Sequence, residues 1–150
     1  MPTRTPARHE IGQTLMLVTD DFHRRLNADL RARGVKGISP RHRSVFLYLG
    51  RNGASRAVDL AGAAGIRPQS MMKIVHELED LGLIERRPDP DDSRAKLIDF
   101  TPGGLELIDE LSRSTEAVWR QYADILGKRG LEQTLRNLDT LTRYMEPEHD

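Results

Sequence analysis

Helix punctuation constrains this chain of 150 residues more than any other feature of its sequence. Pro40, Pro68 and Pro102 stand where apolar residues begin to recur every three or four positions, and Ser39 and Thr101 precede two of them as side chains able to cap free amides. Gly34 and Gly37, Gly50 and Gly53, Gly65, Gly82, and Gly127 and Gly130 stand where such patterns stop. The spacing predicts a first helix from about His9 to Arg33, with Ile11, Leu15, Val18, Phe22, Leu26 and Leu30 on one stripe. A second helix opens at Ser39-Pro40, a third runs from Arg56 to Ala64 with Ser55 as its cap, and a fourth from Pro68 to about Leu81. Residues 83–87 and 96–100 predict two short strands around a turn-rich tip, Pro88 to Ser93. Thr101-Pro102 then opens a long helix through Ile108, Leu111, Thr115, Val118, Tyr122 and Ile125, and Leu131, Leu135, Leu138 and Met145 mark a last one that frays into 146–148. Residues 1–8, with Pro2 and Pro6 and no apolar period, are expected to be a disordered arm.

The middle of the chain carries the most specific pattern. Ala61 and Gly65, four apart, straddle a tight turn between two short helices, a helix-turn-helix spacing, and the hairpin that follows makes it a winged one. On the second helix of the pair Gln69, Met72, Lys73 and His76 share the face opposite the core positions. Gln69 is suited to adenine, Lys73 to guanine or phosphate, Ser70 to either, and Met72 to a thymine methyl, while for His76 a base contact stands beside a phosphate contact or none at all. The hairpin carries Arg86, Arg87, Arg94 and Lys96 against Asp89, Asp91 and Asp92. That mixture suits DNA if the Asp92 carboxylate holds the Arg94 guanidinium as a fork aimed at a minor groove. The plainer alternative is an exposed turn pair of small energetic value.

Charge and composition narrow the remaining classes. Lys plus Arg and Asp plus Glu both number 23, so net charge names no partner, but the balance runs from +3 over residues 1–40 to −4 over residues 105–150. The absence of Cys removes disulfides, thiolate nucleophiles and Cys-type zinc sites. His9, His23, His42, His76 and His149 form no HxxxH or HExxH pair, and the run Asp89 to Asp92 lacks the Gly and distal Glu of a calcium loop. No phosphate-cradling or nucleophile-elbow motif occurs. An enzyme, a resident metal and a cofactor are therefore not expected. No apolar run is long enough for a membrane span or a signal peptide, which predicts a cytoplasmic location without a membrane partner.

These motifs together resemble the MarR family of bacterial transcriptional regulators, over most of the chain from His9 to about Met145. The resemblance is carried by Ser39-Pro40, Asp59-Leu60-Ala61, Arg67-Pro68-Gln69-Ser70 and Leu81-Gly82-Leu83-Ile84-Glu85-Arg86. Its most specific part is the wing, Asp89-Pro90-Asp91-Asp92-Ser93-Arg94-Ala95-Lys96, leading to Phe100-Thr101-Pro102-Gly103-Gly104. It implies one mainly α structural domain with a β-hairpin wing. In it, 39–104 form a winged helix-turn-helix DNA-binding region, and 9–33 with 105–145 form helices that join two copies into a homodimer. It also implies a palindromic DNA site and repression relieved by a small ligand between the two regions, where His23, Phe46 and Trp119 are candidates for the lining. Arg67 stands where many members have a short capping oxygen, and its side chain is free to face a phosphate instead. The competing expectation is a dimeric winged-helix module that binds protein, which the near-neutral middle of the chain favours.

Overall fold

The computed structural model describes residues 5–144. A single 3-10 turn, Arg8–Glu10, leads into α1 (Ile11–Ala32), followed by α2 (Pro40–Asn52), α3 (Ala57–Ala64) and α4 (Pro68–Asp80). The hairpin β1 (Ile84–Asp89) and β2 (Asp92–Phe100) comes next, and then α5 (Pro102–Leu126) and α6 (Lys128–Arg143). The architecture is a winged helix-turn-helix flanked by helices from both ends of the chain. Each of the three prolines opens a helix at its first turn, as expected of a residue with no amide to lose there.

The helix-turn-helix packs because its turn is left-handed. Gly65 ends α3 at φ 63°, and the amides of Gly65 and Ile66 return to the carbonyls of Gly62 and Ala61 (3.2 and 3.1 Å). Leu60, Ala61, Met71, Ile74, Val75 and Leu78 then close on Val45, Phe46 and Leu49 of α2 and on Ile84 and Ile98 of the hairpin. A second, smaller core joins α1 to α5 through Leu26, Leu30 and Val118, with Phe22 and Tyr122 beside it. Val35 and Leu111 pack against both cores.

Several expectations are corrected. Gly50 and Gly130 lie inside α2 and α6, where the neighbouring Gly53 and Gly127, both at positive φ, make the actual breaks. Arg8, assigned to the disordered arm, begins the 3-10 turn, whereas residues 1–4 of that arm, Met145 and residues 146–148 lie outside the described residues. The strands reach further into the tip than the turn residues suggest, pairing Pro88 with Lys96 and Asp89 with Asp92. Ser55 does not cap α3. Its backbone exchanges two hydrogen bonds with Ile98 (3.0 and 2.8 Å) and its hydroxyl donates to the Gly53 carbonyl (2.8 Å), so it adds a third strand position at the base of the wing. Among the described residues no helix is long and apolar enough to cross a membrane.

Two contacts fix the long helix α5 on the rest. At its N-terminus the Thr101 hydroxyl accepts from the Gly104 amide (3.1 Å) and donates to the Gly82 carbonyl. A Cβ on Gly104 would lie 2.0 Å from the Leu83 carbonyl oxygen, so only glycine lets α5 approach the turn after α4 this closely. About one turn of α5 beyond Val118, the Tyr122 hydroxyl donates to Asp21 of α1 (3.0 Å), which also accepts from Arg25 (2.6 Å). The Arg25 guanidinium also stands over the Tyr122 ring, 5.5 Å from its centroid. Hydrogen bonds from Arg25 and Arg24, opposed by burial, pull the Asp21 carboxyl from its ordinary 3.8 to about 2.

Gly104→Ala should therefore destabilise the fold by about 1–3 kcal/mol or more in urea unfolding, the cost of overpacking against rigid backbone. Gly103→Ala, 3.2 Å from the Gly82 carbonyl, should cost less. Because the Asp21 carboxyl is depressed, its contribution to stability is complete above about 4 and is lost as pH falls toward about 2. Melting curves of Asp21→Asn should be flatter than the parent's over that window, and the carboxyl titration followed by NMR should have its midpoint near the lower end.

Candidate nucleic-acid interface and adjoining cavity

α4 offers solvent the residues that its sequence spacing selects. Gln69, Ser70, Lys73 and His76 are exposed, while Met71, Ile74, Val75 and Leu78 are buried. Met72 departs from this pattern: it is half-buried and packs on the core, which accounts for an apolar side chain at that edge. Arg67 is the N-cap residue, yet its side chain makes no cap bond and is exposed. His76 is exposed and lies 3.8 Å from Glu79.

In the wing the four expected cations separate into two pairs. Arg86 is engaged by Glu79 of α4 (2.7 Å) and Arg87 by Asp99 across the hairpin (2.9 Å). The guanidinium of Arg94 and the ammonium of Lys96 are exposed and meet no carboxylate among the described residues. Asp92 holds Arg94 in a different way from the expected fork. Its Oδ1 accepts from the Arg94 backbone amide (3.0 Å), as an aspartate readily does two residues ahead of itself, and its Oδ2 is 3.8 Å from Arg56. The backbone of the tip is held, and the Arg94 side chain has no carboxylate partner among the described residues.

The anchor of the tip is Arg56, the residue before α3. Its Nε donates to Asp89 Oδ2 (2.8 Å), its Nη2 reaches the same carboxylate, and Asp89 Oδ1 accepts the Asp91 amide (2.9 Å). Asp89 is 7% exposed, and these donors hold its carboxyl below the usual range, the Asp91 amide first and Arg56 second. Sequence reasoning had Arg56 only as the start of a helix. A separation of 33 residues leaves no local signal for the pair, and the one clue is that an acidic run in a hairpin calls for a cation somewhere.

Between the winged region and the outer helices lies a cavity of about 820 Å³. α1 contributes Phe22, His23 and Leu26, α2 contributes Arg43, Phe46 and Leu47, and α5 contributes Ile108, Leu111, Thr115 and Trp119. The three lining candidates, His23, Phe46 and Trp119, thus meet around one space, with Phe46 also stacked on Phe100 at 5.6 Å. Arg43 was not anticipated. It falls on the apolar stripe of α2, three residues before Phe46, and a charge at such a position is the signal that could have found it. It is 7% exposed, its Nη1 donates to Asn27 Oδ1 (2.7 Å), and its buried Nη2 has no hydrogen-bond partner among the described residues. Burial lowers the guanidinium's affinity for its proton. A largely apolar space whose wall also carries Arg43, Arg51 and Glu116 is suited to a small organic anion.

The family model described as MarR family matches residues 36–95, the span from the loop before α2 to the wing tip. An uncharacterized HTH-type transcriptional regulator of Mycobacterium bovis is 31% identical over 93 residues, 61% of this chain; the match spans 65% of that relative's own length. Among solved structures, a MarR-family transcriptional regulator from Rhodococcus sp. RHA1 superposes with a TM-score of 0.73 at 24% identity over 95% of this chain and all of its own. NadR, solved in complex with 4-hydroxyphenylacetate, superposes with a TM-score of 0.68 at 24% identity over 97% of this chain and 100% of its own. Helix order and wing agree with these structures, and residues 36–95 match the family model, so the chain is similar to MarR-family transcriptional regulators.

Proposed function

We propose that this chain is a sequence-specific DNA-binding transcriptional regulator. It acts as a repressor, binds a pseudo-palindromic duplex as a homodimer, and releases it when a small organic anion enters the cavity. The observation that carries this function is the uncovered polar face of α4, tied through Arg86 and Glu79 to a wing whose Arg94 and Lys96 keep their charges for an outside partner. Support for the homodimer comes from the apolar surface left open at both ends of the chain. Ile11, Leu15, Met16, Leu17 and Val18 on α1, with Leu135, Leu138 and Leu141 on α6, are all exposed. Two copies joined there would place their α4 helices on half-sites about one helical turn apart, roughly 34–36 Å. Recovering bound sequences from a random duplex pool tests recognition, symmetry and spacing in one experiment.

A protein-binding winged module is the second possibility, favoured by the internal neutralisation of Arg86 and Arg87. Salt-dependent binding to duplex DNA separates the two.

The wing gives a graded outcome. Arg94→Ala and Lys96→Ala should each weaken duplex binding and reduce the slope of log affinity against log salt by about 1. Arg86→Ala and Arg87→Ala should change that slope less, because their charges already face Glu79 and Asp99. Gln69→Ala or Lys73→Ala should cost about 1–3 kcal/mol on a selected site and relax preference at one base pair if the side chain reads a base. Equal loss on all sequences would assign that residue to phosphate.

For the cavity, benzoate and 4-hydroxyphenylacetate are the probes, with benzyl alcohol as the neutral control. Trp119, the chain's one tryptophan, lies in the cavity wall and reports entry through its fluorescence. Arg43→Met should weaken binding of the anions by about tenfold or more, the value of a charge-assisted hydrogen bond, and leave the alcohol unchanged.

A further inference from the structure

The first turn of α2 faces two ways. On one side Arg43 lines the cavity, its buried Nη2 without a hydrogen-bond partner among the described residues. On the other, the two residues before it grip the recognition helix. Arg41 Nη2 donates to both carboxylate oxygens of Glu77 (3.1 and 2.9 Å), and His42 Nε2 lies 2.8 Å from Glu77 Oε2. The His42 ring has one available orientation of its proton. The Ser39 backbone amide, which can only donate, points at Nδ1 (3.1 Å), so Nδ1 accepts and Nε2 carries the hydrogen given to Glu77. His42 is 5% exposed, and this arrangement fixes the ring at both ends.

Glu77 is on α4, four residues beyond Lys73 and next to His76. Its carboxyl is held low first by the His42 hydrogen bond and further by the charges of Arg41 and Lys73, so the clasp and the Lys73 ammonium share one electrostatic neighbourhood. α2 and α4 also share an apolar core, but apolar contact has no preferred direction and permits small rotations. Three hydrogen bonds converging on one carboxylate fix both the rotation and the axial position of α4 against α2.

We propose that Glu77 is a positioning residue that couples the cavity to the DNA-reading face. Through the Arg41–His42–Glu77 clasp, a displacement of the first turn of α2 by an anion on Arg43 becomes a displacement of Lys73 and His76. This coupling rests on the DNA-binding function proposed above. Coupling between sites is reciprocal, so it is testable from the DNA side without any effector.

The experiment uses the full chain and a duplex recovered by selection. Anisotropy of the labelled duplex reports DNA occupancy, and Trp119 emission reports the cavity. In the parent, saturation with duplex should change Trp119 emission. In Glu77→Ala, brought to the same DNA occupancy, that change should fall by about threefold or more. Glu77→Gln, whose amide oxygen still accepts from His42, should regain most of it, which a merely destabilised helix would not do. Should Glu77→Ala lose its helical circular dichroism, Arg41→Ala removes the exposed half of the clasp and should give a partial loss. A parental Trp119 response in Glu77→Ala at equal occupancy overturns the coupling, as does a parent whose emission ignores saturating duplex. A parent that binds no duplex at any salt is read by anisotropy alone, and it overturns the DNA-binding function and the coupling with it.

Discussion

The architecture depends on how closely α5 can approach the turn after α4. Gly104 gives up its side chain so that the helix can lie against the Leu83 carbonyl, and Thr101 closes the same joint by bonding Gly82 while capping α5. From this joint the helix extends 25 residues, far beyond the winged region, and its far half meets α1. The cavity is the space left where α5 passes α2 on its way to α1. A looser joint would change the angle of α5 and with it the distance between Trp119 and Arg43. Packing at one glycine and the shape of a space many residues away are thus parts of one geometric problem.

Electrostatics divides labour inside the wing. A hairpin of this length has little core of its own and would be marginal alone. It is held by Ile84 and Ile98 in the main core, by the Ser55 pairing at its base, and by Arg56 on Asp89 near its tip. Arg86 and Arg87 also serve this internal purpose. The acidic residues that seemed out of place on a DNA-binding hairpin orient it, leaving Arg94 and Lys96 as the cations that a phosphate backbone or narrow groove would meet.

The helices and their order were legible in the sequence because capping, proline starts and left-handed glycines act within a turn or two of chain. The α4 face was legible for the same reason, since helical periodicity alone places Gln69, Lys73 and His76 together. What escaped is non-local. The Ser55 pairing with Ile98 competes with a local capping role and wins because it satisfies two backbone groups at once. Arg56 and Asp89 meet only after α3 and the hairpin are both in place. Met72 looked like a ligand-facing side chain until the core extended to it. His42 and Arg43 were visible as polar residues on a buried stripe, but their partners Glu77 and Asn27 lie 35 and 16 residues away. The cavity's His23, Phe46 and Trp119 came from family resemblance, not from any local pattern.

The outer strand of the wing bears on how the protein survives at high concentration. β2 is covered on one side by β1 and at one point by Ser55, so β1 is the strand whose free edge a passing chain would find. That edge is poorly made for self-association. Pro88 has no amide to donate, the pairing shifts out of register just beyond it, and Glu85, Arg86 and Arg87 line the strand with charge. A second wing adding to it in cross-β fashion would have to strip Arg86 and Arg87 from their carboxylates and still lack a hydrogen bond at Pro88. The hairpin can thus project into solvent without nucleating aggregates.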